Sequence, residues 1–289
     1  LVFPKDDLEV ILVDNGSTDR TREIAGEYGA KVLRDDEKHV AGLRNLGVKS
    51  AAGEIIAFVD ADCLVSKTWL QNAAIYFDDE DVSAWGSPPT LPEEATWVQK
   101  TWYLVRQKKA QVQEADWLET MNLFVRKEQF MSVSGFNEAL ITCEDVDFSY
   151  RIRKYGKIIS DARIEVIHLG EAATVKEFMS KEIWRGRSNL VGLFSHGLQW
   201  KELPSLAIPL YFGILFPLTC VVALLSFNLK WLVVSFILYF LPIAAVFYKF
   251  KKKGVWTDPC CAGMGDGLKL LFLLQVYFFS RTVAVIKRG

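Results

Sequence analysis

The chain has 289 residues, with 34 basic against 35 acidic side chains. That is long enough for one sizeable α/β domain with an appendage, and the near-cancelling charges exclude a broad basic field for nucleic acid. Its five cysteines, Cys63, Cys143, Cys220, Cys260 and Cys261, show neither metal-ligand spacing nor a disulfide framework, and read as reduced thiols.

The opening stretch, Leu1 to Asp7, reads as a loop that leads straight into a strand, and an upstream strand and helix are expected to be missing from this chain. Leu8 to Val13 is a short apolar run that ends in Asp14-Asn15-Gly16-Ser17-Thr18-Asp19, the pattern of a buried strand, a loop and a helix. Ser17 or Thr18 is the predicted cap. Ile24, Ala25 and Tyr28 are predicted to face inward, with Gly29 ending the helix. A strand is expected at Lys31 to Arg34, and a helix near Ala41 to Ala51 with Leu43 and Leu46 inward. Ile55 to Val59 is a second apolar strand, followed at once by Asp60-Ala61-Asp62. Strands that alternate with helices and are apolar on both faces predict a mostly parallel sheet with helices on both sides. Ligands then gather beyond the carboxyl ends of the strands, where both Asp14 and the Asp60/Asp62 pair fall.

Further along, helices are predicted at Thr68 to Phe77, Trp97 to Val112 and Asp145 to Tyr155, and strands at Val82 to Gly86, Met121 to Arg126 and Ile164 to His168. Val175 to Phe194 reads as an amphipathic helix on a membrane surface. Pro204 to Phe227 and Trp231 to Tyr248 carry no charge, and at ~1.5 Å per residue each can cross ~30 Å of hydrocarbon as one arm of a hairpin. Lys249, Lys251, Lys252 and Lys253 follow the hairpin and predict a cytoplasmic loop, hence a cytoplasmic catalytic domain on a multi-pass cell-membrane protein. Leu270 to Ile286, interrupted by Gln275 and Arg281, reads equally as a third crossing or as an interfacial or protein-packed helix. The expected domains are therefore 1–173, an α/β catalytic unit; 174–203, an interfacial linker; and 204–289, the membrane region.

Two carboxylates at i and i+2 just past a buried strand can hold Mg2+ or Mn2+ between protein and phosphate oxygens. Around this pair the order is Asp14-Asn15-Gly16-Ser17, then Arg44-Asn45, then Gly53 to Asp62, Gly135-Phe136-Asn137-Glu138 and Glu144-Asp145-Val146-Asp147. From Leu8 to Asn189 this set resembles glycosyltransferase family 2, whose catalytic domain has the GT-A fold. The resemblance implies transfer of a sugar from a UDP- or GDP-sugar to an acceptor hydroxyl, with inversion. It makes Asp14 or Asn15 a contact to the nucleobase and Asp60 a contact to the ribose or the metal shell. It makes Asp62 a metal ligand, Asp145 in the Glu144-Asp145 segment the general base, and His168 a group that reaches the metal or the diphosphate. Arg44 is expected to bind the donor, and Asn122, Arg185 and Arg187 the diphosphate or the acceptor. Arg126 and Arg151 are read as structural ion-pair partners instead.

Trp184-Arg185-Gly186-Arg187 does not match the Gln-x-x-Arg-Trp of processive synthases in the family, so a single addition is expected. Membrane anchoring makes a polyprenol- or lipid-linked acceptor the expected partner. Family members begin with a strand–loop–helix unit that this chain does not show. The competing readings are a nucleotidyltransferase, for which no glycine- and base-rich phosphate loop is found, and a non-catalytic membrane protein with a degenerate domain.

Overall fold

The computed structural model describes residues 3–106, 111–187, 207, 209–226, 228–252 and 264–286. The chain divides into two compact units, Leu1–Pro92 with Ala110–Gly170, and Glu93–Lys109 with Glu171–Gly289. The second unit therefore takes in a segment that is interior to the first in sequence.

In the first unit, β1 (Ile11–Asp14) and β2 (Lys31–Arg34) form a parallel pair joined by α1 (Thr21–Glu27). α1 is not the inward-facing helix expected: it buries no residue, and Ile24 and Tyr28 are exposed. Neither Ser17 nor Thr18 caps it. Arg20 holds the cap position, and Asp19 accepts from the Thr21 amide. The next helix, α2 (Val40–Ser50), turns Ala41, Asn45 and Val48 inward, at helical spacing, and leaves Leu43 and Leu46 half-buried.

The main sheet contains β3 (Ile55–Val59), β5 (Val82–Gly86), β6 (Val112–Glu114), β7 (Asn122–Arg126) and β8 (Lys157–Asp161) in the order β3-β7-β5-β8-β6. Only β5 and β8 pair in parallel; β3/β7, β5/β7 and β6/β8 are antiparallel. The sheet is thus mixed rather than mostly parallel. Strands apolar on both faces report two covered faces, and they do not report the direction of the neighbour. A small antiparallel ribbon joins β4 (Cys63–Val65) to β9 (Val166–His168). β4, β6, β8 and the short helix α5 (Lys127–Ser132) were not anticipated from sequence.

Strand alternation sends Leu123 and Val125 to one face of the sheet and Phe124 to the other. On the first face lie Ile56, Phe58, Phe130, Phe136 and Phe148; on the second lie Trp69 and Leu70 of α3 (Trp69–Ala74), Trp85 and Val166. Phe148 belongs to α6 (Glu144–Ile152), whose N-terminus is the Glu144-Asp145 segment. Phe136 contacts Phe58, Phe130 and Phe148 with ring centroids 4.8–5.2 Å apart. Fully burying each such ring contributes about 1.5–3 kcal/mol. The cluster fixes the start of α6 over the end of β3.

The second unit contains α4 (Trp97–Arg106), α7 (Val175–Arg185), a π-turn at Tyr211–Leu215, α8 (Phe216–Ser226), α9 (Leu229–Lys252) and α10 (Met264–Ile286). α7 is capped by Thr174, whose side chain accepts from the Glu177 amide. It buries Phe178 and Glu182, with Phe178 in a cluster with Val98 and Leu273. α7 thus packs on protein through Phe178 and leaves Trp184 exposed. The predicted continuation of α7 beyond 187, the linker to 203, the start of the first apolar stretch, Lys253 and Cys260 and Cys261 lie outside the described residues. Lys249, Lys251 and Lys252 fall inside α9, where a loop was expected. Among the described residues, one segment, Asp266–Val285, is long and apolar enough to cross a membrane; Tyr211–Ser226 is apolar but shorter. The multi-pass arrangement is therefore not supported. Arg281, costly in hydrocarbon unless paired, meets Glu182 of α7 at 3.0 Å.

Candidate active site

The site is organised by one arginine. Arg44, on α2, donates to Glu144 Oε1 at 2.6 Å and to Asp60 Oδ1 at 2.8 Å. Its guanidinium also lies 5.9 Å from the Phe136 ring centroid. Residues at 44, 60 and 144 thus meet, and the end of β3 is joined to the start of α6. Burial alone would favour loss of the Arg44 proton, but the two carboxylates hold it and raise its pKa.

α2 is tied to the Gly135–Glu138 segment by its next residue. Asn45 Nδ2 donates to Phe136 O (2.9 Å) and Glu138 Oε1 (3.0 Å), and Asn45 Oδ1 accepts from the Phe136 amide (2.9 Å). Lys38 closes on Glu138 at 3.0 Å. Gly135 has φ +65°, and a Cβ there would stand 2.5 Å from Asn45 Oδ1, so the turn needs glycine.

Asp145 follows Glu144 in the first turn of α6, and its Oδ1 accepts from the Val146 amide at 2.8 Å. Burial, with the neighbouring carboxylates of Glu144 and then Glu119 adding to it, pushes Asp145 from the usual 3.8 up to about 7. A carboxylate with a pKa near the working pH suits general-base chemistry. Glu119 had no sequence signal. Asp147 is buried and held by Arg151 at 2.6 Å, four residues on, and Arg151 also donates to Val133 O. Arg126 donates to the carbonyls of Tyr76, Phe77, Asp79 and Val82. Arg151 is thus the ion-pair partner expected, whereas Arg126 is tied to backbone carbonyls in place of a carboxylate.

Asp62 and His168 meet at 3.2 Å, Oδ2 to Nε2. One donor atom from each of Asp62, Cys63 and His168 lies within 4.8 Å of the others. The ribbon explains the meeting, since Cys63 and His168 are directly opposed across β4 and β9 and share a face. A Cβ on Gly170 would stand 1.8 Å from Asp62 Oδ2, so only glycine leaves this space open. Carboxylate and imidazole together are a donor set that suits Mn2+, and a carboxylate suits Mg2+. Asp62 and His168 fit the expected cation. Asp60 is turned instead to Arg44. Cys63 was missed in the sequence because no second cysteine lay at ligand spacing; its partner is 105 residues on across the ribbon.

The remaining expected residues divide. Asp14 is buried at the end of β1, where hydrogen bonding from Ser17, with help from Arg22 at 3.5 Å, holds its carboxyl below the usual range. Asn15 Nδ2 donates to Asp35 O (2.8 Å) and Lys38 O (3.2 Å) and so pins the β2–α2 loop. Asn122 is not a ligand residue. It is fully buried, its nitrogen donates to Ser87 and Ile164, and its oxygen accepts from Trp69 Nε1. Arg185 pairs with Glu182 at 2.7 Å and Glu171 at 3.6 Å, which commits it to carboxylates of its own unit; Arg187 is exposed past the end of α7.

Residues 2–129 match the family described as Glycosyl transferase family 2. Glycosyltransferase AglE of Haloferax volcanii is 27% identical over 222 residues, 74% of this chain and 73% of that protein. The beta-monoglucosyldiacylglycerol synthase of a Nostoc species is 29% identical over 170 residues, 53% of this chain but only 36% of that protein. Mannosyltransferase PcManGT of Pyrobaculum calidifontis, solved with GDP-Man and Mn2+, aligns with 99% of this chain and 79% of its own at a TM-score of 0.59 and 15% identity, a likeness of fold. Residues 2–129 are thus similar in sequence to glycosyltransferase family 2, and the mixed α/β sheet has a GT-A-like fold.

Proposed function

We propose that the chain transfers a sugar from a UDP- or GDP-sugar to an acceptor hydroxyl in a single addition with inversion. The observation that carries this is the Arg44 bridge, which brings Asp60 and Glu144 together beside Asp145, a carboxylate titrating near neutrality.

Asp145 takes the proton of the acceptor hydroxyl as its oxygen bonds to the anomeric carbon. The bond from that carbon to the donor diphosphate breaks on the opposite face, and the nucleoside diphosphate leaves with the electron pair. One base and one face of attack give inversion. Mg2+ or Mn2+, when bound, neutralises charge on the leaving diphosphate. Asp62 and His168 would hold it. Arg44 holds Asp60 in place at the end of β3 by their ion pair. Asp14 and Asn15 close the β1 end of the same unit, where the nucleobase would lie; the Asn15 nitrogen serves the loop, so its carboxamide oxygen would be the group to meet the base.

The acceptor we favour is lipid-linked, a polyprenol or glycerolipid carrier. The diacylglycerol named for the Nostoc relative supports this. So do the exposed apolar side chains of α8 and α9, among them Leu224, Leu225, Phe236 and Ile237. Asp266–Val285 would attach the chain to the bilayer, with the catalytic unit on the cytoplasmic side, where the basic end of α9 would stay.

A donor screen on full-length protein in native membranes tests the reading. Release of UDP or GDP should need Mn2+ or Mg2+ and an added lipid acceptor, and proton coupling constants of the product should show inverted configuration. Release of pyrophosphate instead would mark a nucleotidyltransferase, and unchanged turnover in Asp62→Ala would sink the metal assignment.

A further inference from the structure

The donor atoms near Asp62 are not those of a purely oxygen-lined Mg2+ site. The thiol of Cys63, half-buried on β4, completes a group with Asp62 and His168 inside 4.8 Å. Tetrahedral Zn2+, with bonds of about 2.0–2.3 Å to oxygen, nitrogen and sulfur, places its donors about 3.4–3.6 Å apart. The Asp62–His168 pair is already at 3.2 Å. Cross-strand pairing fixes Cys63 opposite His168, and the bare Gly170 keeps a side chain out of the space.

We propose that Asp62, Cys63 and His168 form a three-donor cage that takes Zn2+ in preference to Mn2+ or Mg2+, and that Zn2+ held there blocks transfer. It rests on the metal assignment made above for Asp62 and His168 and adds the thiolate. A soft thiolate beside an imidazole selects Zn2+ over harder cations, and Zn2+ exceeds Mn2+ at N/O/S sites in any case. The Cys63 proton passes to solvent as the metal–sulfur bond forms. A four-coordinate ion with three protein donors leaves one open position, too few to hold a diphosphate by two oxygens. Zinc availability would then regulate the enzyme through its own catalytic metal site.

Co2+ reports thiolate ligation directly. Titrating the full-length protein with Co2+ should give a sulfur-to-cobalt charge-transfer band in the near ultraviolet at one equivalent. Added Zn2+ should abolish the band stoichiometrically. In Cys63→Ser the band should vanish, and Zn2+ affinity, measured with a chromophoric chelator, should fall by at least about tenfold. Asp62→Asn, at an exposed side chain, should keep the band at weaker affinity, so the test survives if the serine variant does not fold. Mn2+ binding is followed in parallel by paramagnetic resonance. A protein that binds Mn2+ but gives no band with Co2+ overturns thiolate ligation and leaves the Mn2+ site standing. A protein that binds neither ion overturns both. A band of equal strength in folded Cys63→Ser places the sulfur elsewhere and also overturns the proposal.

Discussion

Arg44 and Asp145 have opposite relations to stability, and each relation is measurable. Arg44 is largely buried and satisfies Glu144 and Asp60, the second of which keeps about a third of its side-chain exposure (34%). Removing one partner of a buried pair typically costs about 3–5 kcal/mol because the other charge is stranded. For Arg44→Ala the expected loss is about 3 kcal/mol, at the low end because water reaches Asp60, and it should be read by urea denaturation. Asp145 runs the other way. Its carboxyl is raised from 3.8 to about 7, so the folded chain holds the proton more tightly than the unfolded one. Folding therefore loses stability as pH rises from about 4 through 7. Asp145→Asn removes that penalty: its melting temperature relative to the parent should rise from pH 4 to pH 8. The same variant should lose turnover by a factor on the order of 10²–10⁴. The parent's kcat/KM should fall below a pH near 7, where Asp145 becomes protonated. A parent profile flat from pH 5 to 8 would rule Asp145 out as the base.

At the scale of elements, the site depends on α2 being clamped to the loop before α6. Asn45 supplies three hydrogen bonds to that loop, two to the backbone of Phe136 and one to Glu138. A buried backbone group left without a partner costs about 1–3 kcal/mol. Asn45→Ala should therefore destabilise the unit by about 2–4 kcal/mol in calorimetry and lower turnover, because Arg44 shifts with its helix. Gly135→Ala should act through backbone strain, roughly 1–3 kcal/mol for a side chain at positive φ. Contact with Asn45 and Phe130 should add to that. Neither residue was assigned this work from sequence. The Gly135–Glu138 motif is visible in the sequence, but its partner lies some ninety residues away on a helix whose apolar Leu43 and Leu46 draw attention from the buried Asn45.

For the whole molecule, the question is what Asp266–Val285 does. It has a mean hydropathy of 1.5 and 39% of it is buried, so much of its surface faces outward. Its Arg281 shares Glu182 with Arg185, all three on helices of the second unit. Glu182→Ala takes a buried carboxylate from both arginines, with Arg185 keeping Glu171, whereas Arg281→Ala leaves Glu182 with Arg185. In detergent, the first should lower the melting temperature clearly more than the second. If the helix is inserted in a bilayer, the protein should stay with membranes through a carbonate wash; release by carbonate would show a helix that only packs on protein.

Periodicity and residue chemistry were enough to read most of the first unit from sequence. Strands at 11–14, 31–34, 82–86 and 122–126 follow from apolar runs bounded by turn residues, and Asp60-Ala61-Asp62 stands where such a strand ends. The sequence by itself determined that carboxylates would gather at strand and helix ends, and which family's order they followed. Tertiary structure decided which of them meet. Arg44 touches Asp60 and Glu144, and Cys63 faces His168, only because the chain closes long loops and pairs distant strands. It also decided that Asn122, a polar residue at a strand end like the ligands, would spend every group on the core. Spacing along the chain encodes which face a side chain takes within its element. The partner it finds across a sheet or ribbon is set by register and packing, which no local period records.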